Sequence, residues 1–157
     1  MSQTSYSIDI APVAFPGQLY DLSPKDVVTE AAEVALPYGI LAVQGTAENQ
    51  AKVPTAGADL AADKVRGVVL ADQAREQKVG GSATGEYSLK DAVSLLRMGR
   101  VWVLAKDAVT KGGAVHAFNT TGELGSTGLA TSTLVAGLRW ASSAGAGEFA
   151  VLEVDLI

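Results

Sequence analysis

The stretch LLRMGRVWVLAKDAVTKGGAVHAF, residues 95–118, decides the fold class predicted for this chain. Between residues 100 and 105, side chains of an extended chain would alternate between two faces. Both faces are largely apolar, as in a strand that is covered on both sides. The Met98-Gly99 pair predicts a hairpin turn before this strand, and Gly112-Gly113 predicts a turn into a second strand over residues 114–118. The stretch therefore indicates β structure.

The rest of the chain continues this pattern of short strands. Turn signals rich in glycine and proline recur about every 8–12 residues, which predicts an all-β fold: a compact β-barrel or sandwich of short strands with an extended N-terminal arm. Helical signals are confined to one turn after Ser23, with Pro24 at its first position, and to a short helix in residues 58–63. The loop at residues 74–87 is rich in glycine and charge, which suits a partner-facing loop.

A chain of 157 residues suits one domain, or one domain with an arm. We predict an extended arm over residues 1–25 and a single β-barrel or sandwich domain over residues 26–157. Pro12 and Pro16 keep the arm out of helices and central strands. The apolar side chains of the arm either pack on their own domain or lie on a neighbouring subunit or partner. The sequence does not distinguish between these two arrangements. The arm provides three candidate partner contacts, Phe15, Leu19 and Tyr20.

Composition and charge argue against several classes of function. The chain has no cysteine, so disulfides, thiolate nucleophiles and cysteine-ligated metals are excluded. Its net charge is −5 and its basic residues form no cluster, which argues against nucleic acids and anionic membranes as partners. No apolar run approaches the roughly 18 residues that span a bilayer, and no signal peptide is visible. We therefore expect synthesis in a cytoplasm.

The sequence predicts no catalytic, cofactor-binding or metal site. His116, the only histidine, has no acidic pair at ligand spacing. The glycine-rich segments at residues 80–85 and 122–128 lack the Lys-Ser/Thr pair and the helix of a phosphate-binding loop. Glu153 and Asp155 would share a strand face at a separation that suits two glycosidase carboxyl groups. A solvated strand face explains them better, because few aromatic residues are available to line a sugar cleft.

The two tryptophans, Trp102 and Trp140, lie in predicted strands beside Arg100 and Arg139. Large aromatic side chains more often fill a core than bind a ligand. Tryptophan and arginine are also enriched in subunit interfaces. Trp140 is therefore the fourth candidate partner contact.

The chain resembles the head decoration, or structural cement, proteins of tailed bacteriophages. In that family a G-x-V-W-V strand leads to an acidic residue, and here these are Gly99–Val103 and Asp107. The motif A-V-T-x-G-x-x-V follows at residues 108–115, and a small-residue turn with a closing apolar strand follows at residues 142–156. The segment VAFPGQLYDL, residues 13–22, is similar to the opening of the family.

The resemblance implies a non-enzymatic protein, without a cofactor, on the outer capsid surface of the virion. It would be made in the bacterial host cytoplasm and would bridge neighbouring major capsid proteins to stabilise the shell. The resemblance also implies a homo-oligomer, with a dimer favoured over a trimer. The acidic balance of the chain fits an outer surface, away from packaged DNA.

Two other functions are weighed against this one. A small carbohydrate-binding β-domain of a virion or surface protein would need exposed aromatic side chains near one rim. Tyr38, Tyr87 and Trp140 are the candidates for that role. An enzyme using Glu153 and Asp155 stands behind both, because the sequence offers no further catalytic group.

Overall fold

The regular secondary structure of the described residues is almost entirely β-strand, as predicted. The computed structural model describes residues 14–72 and 85–157. Its strands are β1 (Asp26–Ala32), β2 (Leu36–Pro37), β3 (Leu41–Gln44), β4 (Gln50–Lys52), β5 (Val65–Val69), β6 (Glu86–Tyr87), β7 (Ala92–Leu104), β8 (Ala114–Phe118), β9 (Leu124–Gly125), β10 (Ser132–Trp140) and β11 (Phe149–Asp155). A 3₁₀ helix at Gly57–Leu60 overlaps the short helix predicted for residues 58–63. None of the described residues forms a helix with the length and apolar character needed to cross a bilayer.

The long strand β7 lies at the centre of one nine-stranded sheet, and β2 pairs separately with β6. Strands β1, β4, β3, β5 and β7 follow one another in hydrogen-bonded order, and β1 pairs again with β7, which closes a small barrel. From β7 the sheet continues through β11, β10, β8 and β9. Leu124 of β9 also bridges to Ala105, the residue after β7, so this second half curves back towards β7. The barrel prediction is therefore confirmed.

The hairpin turn predicted at Met98-Gly99 is wrong, because β7 runs without interruption from Ala92 to Leu104. Gly99 lies inside the strand with a φ of +132°. The register of β1 against β7 shifts at the same level, between Asp26 and Val27. The glycine thus bends the strand instead of ending it. Because of this bend, the first half of β7 pairs with β1 and β5 while the second half pairs with β11.

The helical turn predicted after Ser23 is also wrong. Residues 26–32 form β1, in keeping with the β-branched side chains of Val27, Val28 and Thr29. The Ser23 N–H and hydroxyl both donate hydrogen bonds to the carboxylate of Asp21. The serine therefore closes a local turn where a helix cap was expected.

Two clusters of buried side chains form the core, and β3, β5 and the first half of β7 lie between them. Along β7, Leu95 belongs to one cluster and Leu96 to the other, and both are fully buried. Further along, only the face of Val101, Val103 and Ala105 is fully buried, and Leu104 on the other face is 40% exposed. The prediction of two covered faces is therefore wrong for residues 100–105 and describes the first half of β7 instead.

Asp107 fixes the loop that follows β9. Its Oδ1 accepts hydrogen bonds from the Ser126 N–H at 2.6 Å and the Ser126 hydroxyl at 3.2 Å, and its Oδ2 accepts one from the Thr127 N–H at 3.1 Å. Burial alone would raise the pKa of Asp107, but the hydrogen bonds from Thr127 and Ser126 outweigh it and hold the pKa below its usual value. A Cβ at Gly125 would lie 2.7 Å from Asp107 Oδ1, so the glycine leaves room for the carboxylate.

Glu30 is the only buried charged residue in the described part of the chain. It lies on β1 and accepts a hydrogen bond at 2.6 Å from Nε of Arg66 on β5, so the pair links two strands of the barrel. Its second oxygen, Oε2, has no hydrogen-bond partner among the described residues. Removing either member of such a pair leaves a desolvated charge, which is costly.

Candidate functional site

Residues 17–20 of the predicted arm form an added strand on the free edge of the second half of β7. The Gly17 N–H donates to the Trp102 carbonyl at 2.9 Å, and the Trp102 N–H donates to the Gln18 carbonyl at 2.8 Å. The Tyr20 N–H donates to the Arg100 carbonyl at 3.0 Å. This part of the arm therefore packs on its own domain. The arm residues 1–13, and most of the predicted partner-facing loop 74–87, lie outside the described residues.

The chain loops outward between this added strand and β1. Leu19 bridges to Val101 and Asp26 pairs with Met98, so the segment 21–25 stands opposite Gly99 and bulges away from the sheet. The turn in which Ser23 donates to Asp21 closes this bulge. The hydrogen bonds from Ser23 outweigh desolvation and lower the pKa of Asp21, with a smaller contribution from Arg100. Asp21 therefore stays ionised near Arg100, whose Nη1 lies 3.6 Å from its Oδ2.

Two apolar side chains stand at the surface on and beside this bulge. Leu22, at the bulge, is 93% exposed, and Tyr20 is 47% exposed. The rings of Tyr20 and Trp102 meet edge to face, with centroids 5.4 Å apart and planes at 66°. This geometry is favourable for aromatic pairs, so the Tyr20 ring is held in place by its contact with Trp102.

A cleft of about 400 Å³ is lined by Tyr20 and by four charged side chains. Arg100, Lys111 and Arg139 line it, with Glu153 as its one carboxylate. Glu153 lies between the two arginines, at 2.9 Å from Arg139 Nη2 and 3.9 Å from Arg100 Nη2. The remaining lining residues are Tyr20, Gly112, Trp140, Ala141, Ser142 and Val151. The cleft therefore has an excess of positive charge on a chain whose net charge is negative.

The four predicted partner contacts occupy different environments. Tyr20 is exposed and Phe15 is partly buried, whereas Leu19 packs against the main core and Trp140 is completely buried behind the cleft. Their role at an interface stays a prediction. Sequence reasoning missed Leu22. A leucine between the polar residues Asp21 and Ser23 could have indicated an exposed apolar side chain.

The side chains considered for other functions occupy structural positions. His116 is partly buried on β8, and its Nδ1 has no hydrogen-bond partner among the described residues. Within those residues, no group of three or more His, Asp or Glu could hold a metal ion. Glu153 forms surface ion pairs with the two arginines. Tyr38 and Tyr87 stack edge to face inside the core, with centroids 5.2 Å apart, so neither ring, nor that of Trp140, is available to stack on a sugar.

Comparison with known proteins identifies the family. Over 98% of its length, the chain is similar to 98% of a chain in the capsid of Myoviridae phage XM1, with a TM-score of 0.69 and 16% identity. It is also similar to the N base of head fiber gp8.5 of bacteriophage phi29, with a TM-score of 0.43, 12% identity and coverage of 85% and 96%. No curated protein matches the chain. Residues 2–155 match the family described as "Structural cement protein (E217 gp24/Pam3 gp6)". The chain therefore belongs to the structural cement protein family and is a bacteriophage capsid decoration protein.

Proposed function

We propose that this protein decorates the outer surface of the phage head, where it bridges neighbouring major capsid proteins without catalysing a reaction. The observation that carries the proposal is the family match over residues 2–155, which covers nearly the whole chain. The net charge of −5 supports an outer position, because packaged DNA would repel an acidic surface. The protein would be made in the bacterial host cytoplasm and would bind neither nucleic acid nor membrane.

Bridging explains how a small domain strengthens a shell. A protein that binds the assembled lattice more tightly than free capsid subunits stabilises the lattice by linkage. Binding as a homo-oligomer to repeated sites adds avidity without new contacts. We favour a dimer over a trimer, and a dimer would use the same surface patch on both subunits.

The division into an arm, residues 1–25, and a domain, residues 26–157, is part of this proposal. The extended course of residues 17–20 along β7 supports it, since β1 begins only at Asp26. Phe15 and Tyr20 are the arm residues that we place at the partner interface. Leu19 packs against the core and would anchor this part of the arm to the domain.

Co-sedimentation with empty phage capsids tests the proposed function. The purified protein is mixed with capsids from a candidate phage and, in parallel, with unassembled major capsid protein. We expect saturable binding to the capsids and none to the free subunits, with a dimer in analytical ultracentrifugation. A protein that stays monomeric and sediments with neither would contradict the proposal.

A further inference from the structure

We infer that the bulge at residues 21–25 and the adjacent cationic cleft form one docking surface for an acidic segment of the major capsid protein. We call it the bulge-and-cleft surface and define it by Tyr20, Leu22, Arg100, Lys111 and Arg139. The inference rests on the proposed function and deepens it, because it states which face meets the capsid and what chemistry it recognises.

The backbone turn that carries Leu22 and the Tyr20 ring are preorganised. A single exposed leucine is ordinary on a protein surface, but Leu22 lies in a turn that Ser23 and Asp21 close and that Arg100 ties to β7. Its neighbour Tyr20 is held by the Trp102 ring. The turn holds the backbone at Leu22 in place before binding, and this reduces the backbone entropy lost in the complex. Leu22 is therefore suited to enter an apolar pocket on the partner.

The charged half of the surface selects an acidic partner. Three cationic side chains line the cleft together with Glu153, and Asp21 of the bulge lies 3.6 Å from Arg100, which leaves a net excess of one positive charge. Glu153 contacts both arginines, whereas Lys111 forms no ion pair within the described residues. The Lys111 ammonium is therefore available to a carboxylate from outside. Because the rest of the chain is acidic, an acidic partner segment would be repelled elsewhere and attracted here.

The residue types of the surface match those that carry binding energy in protein interfaces. Tyrosine, tryptophan and arginine are enriched at positions where truncation weakens binding most. Tyr20 and Arg100 line the cleft, and the Trp102 ring packs against Tyr20. A volume of about 400 Å³ accommodates one or a few side chains of a partner segment. We therefore assign the partner as protein, with a carboxylate in the cleft and an apolar pocket around Leu22.

Two pairs of matched variants test the inference with empty capsids, which exclude binding through DNA. Leu22→Ser is compared with Leu134→Ser on β10, where the leucine is 58% exposed. Lys111→Glu is compared with Lys64→Glu, at an exposed lysine that does not line the cleft. We expect each variant of the surface to raise the Kd for capsids about tenfold or more, and each control to change it less than about threefold. Added salt should weaken binding of the wild type more than that of Lys111→Glu.

Each outcome bears on a separate claim. Thermal unfolding of the variants checks that the fold is retained, which we expect because the substituted side chains are exposed. If both surface variants bind capsids as the wild type does, or if the controls lose as much affinity, the bulge-and-cleft surface is overturned while the proposed function stands. If the wild type itself does not bind capsids, the proposed function is overturned and this inference with it.

Discussion

Replacing Asp107 with asparagine should loosen the loop that follows β9 and destabilise the fold in a pH-dependent way. The side chain accepts three hydrogen bonds, two of them from the backbone N–H groups of Ser126 and Thr127. Asparagine keeps one acceptor oxygen but presents an NH₂ group to one of these donors. A charged hydrogen bond contributes about 1.5–3 kcal/mol, and an unmade one leaves a donor desolvated. Because Asp107 is only partly buried, we expect a loss of about 1–2 kcal/mol at neutral pH.

Urea unfolding at a series of pH values measures this loss, with Asp63→Asn at an exposed position as the control. The pKa of Asp107 is lowered in the folded protein, so its stabilising effect is complete above the pKa of the unfolded chain, about 3.9. The effect disappears as pH falls through the lower, folded pKa. The difference between wild type and Asp107→Asn should therefore shrink between about pH 5 and pH 2. A difference that is absent at pH 7, or that does not change with pH, would refute the reasoning.

Two further changes test the barrel and the arm. Glu30→Ala should lower the free energy of unfolding by about 2–4 kcal/mol, because it leaves the partly buried Arg66 guanidinium without its carboxylate partner. In chemical denaturation, the double variant with Arg66→Met should recover part of this loss. No recovery would contradict the pairing. Gly17→Ala should cost at least about 3 kcal/mol, because its Cβ would lie 2.7 Å from the Ala71 nitrogen at a φ of +79°. Gly112→Ala, at a φ of +81° in open space, should cost only the conformational term of about 1–2 kcal/mol. Equal losses at the two glycines would show that the arm does not pack against the domain as described.

Family, fold class and most strands could be predicted from the sequence alone. Short apolar runs between glycine and proline turns indicate β structure because a strand needs only a local two-residue period. The strand at residues 114–118 and the strand that contains Trp140 were predicted for this reason. The absence of cysteine and the acidic charge also restrict the function classes, because both are properties of the composition and do not depend on how the chain folds.

Long-range pairing decided what the local pattern could not. Gly99 is compatible with a turn or with a bend, and only the pairing of β7 with β1, β5 and β11 selects the bend. Ser23 is a good helix cap by type, but the hydrogen bonds to Asp21 and the place of β1 beside β7 make it part of a bulge. Arg100, Lys111 and Arg139 are spread over 40 residues of sequence and meet only because β10 and β11 return alongside β7. The sequence therefore determined the type of fold, while the closure of the sheets around β7 decided which side chains meet at its surface.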